Sequence, residues 1–178
     1  MFEADHPLSE ARGIPHDGEA AMEARDVVDI AAILSQQLAV YTAAHQTMVA
    51  ERLGLSATEL KALELVQELD ALPTGQLALL LGISWGGTTA LVNRLESSGF
   101  VRRERHPLDR RVIIVSPVAE HCETLKQARQ AMLEEVRLLS RQFDPEQIHT
   151  VHAFLQQYVR GLRHDMCLWL QARNNSTH

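Results

Sequence analysis

Five arginines crowd residues 100–116: Arg102, Arg103, Arg105, Arg110 and Arg111, against only Glu104 and Asp109. A planar, permanently charged guanidinium is suited to gripping phosphate oxygens, so this cluster is the first candidate for chemistry. It stands in a chain of 178 residues whose 17 Lys plus Arg face 23 Asp plus Glu, a formal net charge of -6. Dividing the chain resolves the conflict. Residues 1–30 hold eight acids against Arg12 and Arg25, a balance of -6, and the remainder sums to zero. Attraction to phosphate follows the local patch rather than the total.

Other reactive side chains carry less. His149 and His152 share one helical face at the i, i+3 spacing that metal ligands use, but no acid or cysteine sits within helical reach of both. The pair reads as part of a partly buried helix face, and no metal or cofactor is expected. Cys122, next to His121, and Cys167 lack the close spacing of a zinc or redox pair. Neither G-x-S-x-G, H-E-x-x-H nor a phosphate loop is present, and "LGISWGG" follows a helical pattern rather than the strand a nucleotide loop needs. An enzyme is therefore not expected. No apolar run approaches the roughly 18 residues of a membrane span, and the acidic N-terminus is unlike a secretory signal, so a cytoplasmic protein without a membrane partner is expected.

The elements around the arginines follow from periodicity. Residues 1–16 read as a mobile acidic tail. From Asp17, the residues Val27, Ile30, Ala31, Leu34, Leu38, Tyr41, His45 and Met48 draw an apolar stripe along a helix to about Leu53. Gly54 ends it. Ser56 and Glu59 form a capping box for the next helix, which buries Leu60, Leu63, Val66 and Leu69. Thr74 is placed to cap a short helix stopped by Gly82, and Ser84 to cap another with Thr88, Leu91, Val92 and Leu95 inward. After Gly99 the period becomes strand-like, predicting a hairpin around Pro107-Leu108-Asp109. Ser116-Pro117 should then open a helix over about 118–141. Asp144, Pro145 and Gln147 start a last one to about 172, leaving 173–178 frayed.

Two short helices joined by a glycine-containing turn, with a supporting helix before and a hairpin after, make a winged helix-turn-helix. The second helix can enter a DNA major groove, and the hairpin can place cations over the adjacent minor groove. The stretches "LGLSATELKALELVQ", "GQLALLLGIS" and "TTALVNRLESSGFVRRERHPLDRRVIIVSP" resemble the MarR family, the multiple-antibiotic-resistance regulators. The most specific piece is L-V-x-R-L-E-x-x-G, then V-x-R, then P-x-D-R-R and a β-branched strand. The expected fold class is thus mainly α with a small β-wing: a DNA-binding lobe over 54–117, an N-terminal dimerisation helix over 17–53 and C-terminal dimerisation helices over 118–172.

The resemblance implies a cytoplasmic homodimer that binds a palindromic promoter site in double-stranded DNA, most often as a repressor, and responds to a small-molecule effector. It assigns Ser84, Trp85, Gly86, Gly87 and Thr89 to the major groove and the N-terminus at Thr74 to a phosphate. Arg105 joins the wing cations, while Arg110 and Arg111 match the wing pair, Arg110 being preferred for the minor groove. Asp109 is placed to hold the arginines and the tip by local hydrogen bonds. Tyr41, His45 and Met48 lie near where relatives bind aromatic acids or phenols, although core packing is the better account of each. Thiol-sensing relatives carry their cysteine in the first long helix, where this chain has none. Three departures stand out: Asn93 replaces the usual Asp, Gly86-Gly87 weakens the recognition helix by roughly 1 kcal/mol each, and Ala119 replaces a frequent glycine. The alternative reading is a DNA-free dimeric ligand-binding or interaction module on the same fold, against which the wing arginines argue.

Overall fold

The stripe that begins at Asp17 becomes α1 (Asp17–Ala32), a π-helical turn (Ile33–Gln37) and α2 (Leu38–Leu53). The computed structural model describes residues 17–175, with side chains described over 24–120 and 125–173. The expected tail over 1–16 lies outside the described residues. The residues up to His45 and those from Gln46 onward form two compact units, taken separately below. In the first, the π-helical turn leaves the Ser35 hydroxyl donating to the Ala31 carbonyl at 2.6 Å. Val27, Val28, Ile33, Leu38, Val40 and Tyr41 are exposed. The expectation that no apolar run approaches the length of a membrane span is corrected by this segment. Ala24–Leu53 has mean hydropathy 1.4 over its most apolar window and is long and apolar enough to cross a membrane. Ser35, Gln36 and Gln37 interrupt the run without adding charge. Core helices of soluble proteins meet the same criterion.

The second unit is built on α3 (Ala57–Leu69). Gly54, at φ 68°, ends α2 in a left-handed turn that a side chain would strain. The capping box then forms as expected: Ser56 Oγ accepts from the Glu59 N–H at 3.2 Å, and Glu59 Oε2 accepts from the Ser56 N–H at 2.8 Å. Leu60, Leu63 and Val66 are buried with Val49 and Ala50 of α2. They pack against α4 (Thr74–Leu81), α5 (Trp85–Ser97) and the sheet. Burying each aliphatic side chain contributes about 1.5–3 kcal/mol before entropy is counted, so this stripe dominates the lobe's stability.

The sheet has three strands rather than the two of the expected hairpin. β1 (Leu72–Pro73), β2 (Val101–Arg105) and β3 (Ile113–Pro117) are antiparallel in the order β1-β3-β2. β1 is too short to leave a periodic signal. Asp70, at φ 65°, makes the bend that releases it from α3, where the Ala71 N–H reaches the Leu69 carbonyl at 2.8 Å. Leu72 and Pro73 then pair with Val115 and Ile114. Pro73 also becomes the N-cap of α4, so Thr74 is not the cap expected from sequence. Its hydroxyl donates instead to the Ile113 carbonyl at 3.1 Å, tying α4 to β3.

Ser116 and Pro117 belong to β3, and the helix after them is divided into α6 (Ala119–Ala128) and α7 (Gln130–Ser140). The expected continuous helix is interrupted only at Arg129, at φ -94° and ψ 0°, whose N–H is shared between the Leu125 and Lys126 carbonyls at 3.2 and 3.1 Å and whose side chain pairs with Glu64 of α3. The Asp144/Gln147 box opens α8 (Pro145–Asn175), with bonds of 2.9 and 3.0 Å, and α8 continues past the expected boundary at 172. Along it Val151, Phe154, Leu155, Tyr158, Val159 and Leu162 remain exposed. Ser56→Ala should destabilise the fold by about 1 kcal/mol. The expected readout is a lower urea midpoint with an unchanged slope.

Candidate nucleic-acid interface

Helices α4 and α5 meet at 109°, within the range of a helix-turn-helix pair. Gly82, at φ 68°, closes α4 with its N–H directed to carbonyls of the preceding turn. Ser84 then caps α5, its hydroxyl accepting from the Gly87 N–H at 3.2 Å. Thr88, Leu91, Val92 and Leu95 face the core, which turns Trp85, Gly86, Gly87 and Thr89 outward. A side chain at Gly86 would meet open space, so the weak helix propensity there is not imposed by packing.

Two ion pairs hold this helix in place, and the first involves a residue whose only expected role was in the cap. Glu59 is 8% exposed, and its second carboxylate oxygen accepts from Arg94 Nε of α5 at 2.6 Å. Burial pushes this carboxyl up, but the bonds from the Ser56 N–H, from Arg94 and from the Ser56 hydroxyl outweigh it and hold Glu59 below the ordinary carboxylate range. The second pair joins α5 to the wing. Glu96 accepts from the Arg103 N–H at 3.1 Å and from Arg103 Nε at 2.8 Å, and also meets Arg103 Nη2. Hydrogen bonding by the Arg103 side chain lowers the Glu96 pKa, reinforced by its N–H and its charge. Asn93 therefore leaves no gap between helix and wing: Glu96, the acid of the L-E-x-x-G run, supplies the pair.

At the tip, Asp109 Oδ1 accepts from the Arg111 N–H at 3.0 Å, and its carbonyl accepts from the Val112 N–H at 3.0 Å. Asp109 thus organises backbone and, among the described residues, pairs with no guanidinium. His106 was missed. Its Nδ1 accepts from the Leu108 and Asp109 N–H groups at 3.2 and 3.3 Å, so the imidazole closes the same turn from the other side. The sequence signal was present, since a histidine before a Pro-x-Asp turn can act as an acceptor for its amides. The five wing arginines divide in two: Arg102 and Arg103 pair with Glu104 and Glu96, whereas Arg105, Arg110 and Arg111 make no ion pair among the described residues. A cleft of about 660 Å³ between α4, α5 and the wing brings Thr74, Trp85, Thr89, Arg103 and Arg111 together. Arg105 and Arg110 lie outside its lining. Tyr41 is 73% exposed, Met48 is exposed and His45 is half-buried.

A supporting helix, a 109° helix pair and a three-stranded wing carrying exposed cations define a winged helix-turn-helix protein. The MarR family profile matches residues 55–113. The HTH-type transcriptional regulator YcgE of Bacillus subtilis is 31% identical over 122 residues, covering 68% of this chain and 79% of that one. Among solved structures, the transcriptional regulator Tm0710 from Thermotoga maritima aligns at TM-score 0.57 and 17% identity, over 74% of this chain and 93% of its own. An S. aureus MepR mutant bound to oligodeoxyribonucleotide aligns at TM-score 0.50 and 15% identity, over 74% and 96%. The chain belongs to the MarR family and is a transcription regulator, not an enzyme.

A carboxylate with a lowered folded pKa stabilises the fold fully above its unfolded value, about 4.3 for Glu. That contribution is lost as pH falls through the lowered folded value. Glu96→Gln should therefore unfold more readily at neutral pH and lose less further stability on acidification than the parent. Urea titrations between about pH 7 and 3 measure this, and parallel pH profiles would remove Glu96 as the helix-to-wing clamp.

Proposed function

We propose that this regulator acts as a cytoplasmic homodimer that represses transcription from a palindromic promoter site and releases it when a small-molecule effector binds. The carrying observation is the exposure of three unpaired wing cations, Arg105, Arg110 and Arg111, beside the outward N-terminal turn of α5. Ser84, Trp85, Gly86, Gly87 and Thr89 would face the major groove, with Thr74 at a phosphate. Arg110, free of both the Glu96 clamp and the cleft, is the residue for the minor groove, where potential is most negative. Asp109 and His106 would keep that arginine presented. MepR bound to oligodeoxyribonucleotide supports DNA as the partner.

Dimerisation rests on apolar area. The exposed faces of α7 and α8 carry Leu133, Val136, Phe154, Tyr158 and Leu162, more than a monomer normally leaves to water. A closed twofold pair sets two recognition helices about one DNA turn apart, hence the palindrome. An effector that favours a different spacing of the lobes lowers operator affinity by population shift. Tyr41, His45 and Met48 are the candidate contacts for it.

Arg110→Ala should weaken operator binding by about 1–3 kcal/mol and reduce the salt slope by about 1. Fluorescence anisotropy on fragments selected from genomic DNA tests this, and unchanged binding would take Arg110 out of the interface. Sedimentation at micromolar concentration should give a dimer; a monomer would end the two-half-site arrangement.

A further inference from the structure

We propose that Trp85 is the sequence-reading residue of α5 and that it reads the 5-methyl group of thymine; the inference rests on the DNA-binding reading above. Trp85 opens the helix and is 66% exposed, while the inward positions of the same helix are buried. Its place is built. A Cβ added at Gly75 would lie 3.1 Å from ring atoms Cζ2 and Cη2, so the indole rests against α4 at Gly75, where a side chain would make the ring give by a few tenths of an ångström.

Each neighbouring hydroxyl makes one hydrogen bond to its own helix, which fixes its rotamer and leaves it a single-point contact and not a bidentate reader. Ser84 Oγ accepts from the Gly87 N–H at 3.2 Å, Thr88 Oγ1 donates to the Ser84 carbonyl at 3.0 Å, and Thr89 Oγ1 donates to the Trp85 carbonyl at 2.9 Å. Gly86 and Gly87 have no side chain to offer, and the next outward residue is Ala90. No arginine, asparagine or glutamine stands in this first turn to make the bidentate contacts that read guanine or adenine. What the turn presents is apolar surface with one large ring. In the major groove the apolar feature that tells one base from another is the thymine methyl. Arg111, without an ion pair among the described residues, lines the same cleft and puts positive charge beside the ring, where the backbone phosphates of a docked duplex would pass.

The test uses the full-length protein and duplex selected by it from a random pool, then copied with deoxyuridine in place of thymidine so that only methyl groups are lost. Burying one methyl corresponds to roughly a three- to fivefold affinity change. The parent protein should bind the thymine duplex more tightly than the uracil duplex by at least that factor per half-site. In Trp85→Ala the affinity for the thymine duplex should fall and the thymine-to-uracil ratio should approach one. Gly75→Ala, which favours the helix but pushes against the ring, should keep a folded protein with a reduced ratio. Arg110→Ala should weaken both duplexes and leave the ratio as in the parent. A ratio of one in the parent, or the parental ratio kept in Trp85→Ala or in Gly75→Ala, overturns the inference while DNA binding stands. Failure of the pool to enrich any sequence overturns the DNA-binding reading itself.

Discussion

The buried carboxylate of Glu59 is the point on which the lobe turns. One oxygen closes the cap of α3 through Ser56, and the other receives Arg94 from α5. A single side chain thus sets where the supporting helix begins and how the recognition helix lies against it. A buried charge is tolerated only when its hydrogen bonds are met, and here the net effect of those bonds outweighs the cost of burial. The apolar stripe of Leu60, Leu63 and Val66 provides most of the driving force but little direction. Direction comes from this polar contact.

From α5 outward the same logic repeats with less burial. Glu96 grips Arg103 at both backbone and guanidinium, so the first wing strand is attached to the helix that would read DNA. Thr74 attaches β3 to the start of α4, and β1 covers the other edge of β3. Wing, α4 and α5 are thus in contact pairwise. Within this frame two arginines are structural and three remain for solvent or phosphate, a division that total charge could not show.

The long apolar helices present a different balance. A stripe of apolar residues separated by uncharged polar ones gives Ala24–Leu53 the length and hydropathy of a membrane span, yet the family relationship is with transcription regulators. Burial against another copy satisfies such a surface as well as lipid does, because the hydrophobic effect depends on area removed from water and not on what covers it.

Much of this was legible in the residue order. The capping boxes at Ser56 and Asp144, the glycine stops at 54 and 82, the inward faces of α3 and α5 and the hairpin after Gly99 are local matters of period and backbone geometry, and each appears where expected. What failed was non-local. β1 exists only because β3 offers an edge. Thr74 loses its cap role because Ile113, 39 residues away, offers a carbonyl. The interruption of the 118–141 helix at Arg129 coincides with that residue's pairing to Glu64, 65 positions away. The acid that replaces a missing Asp at 93 was visible as Glu96, but its partner was not. Residue order alone specifies the long helices, the wing hairpin and where cations gather, since propensity, capping and charge act within a few residues. Which of five arginines are free, and that Trp85 rests against Gly75, emerge on folding, because pairing and contact depend on groups brought together from distant parts of the chain.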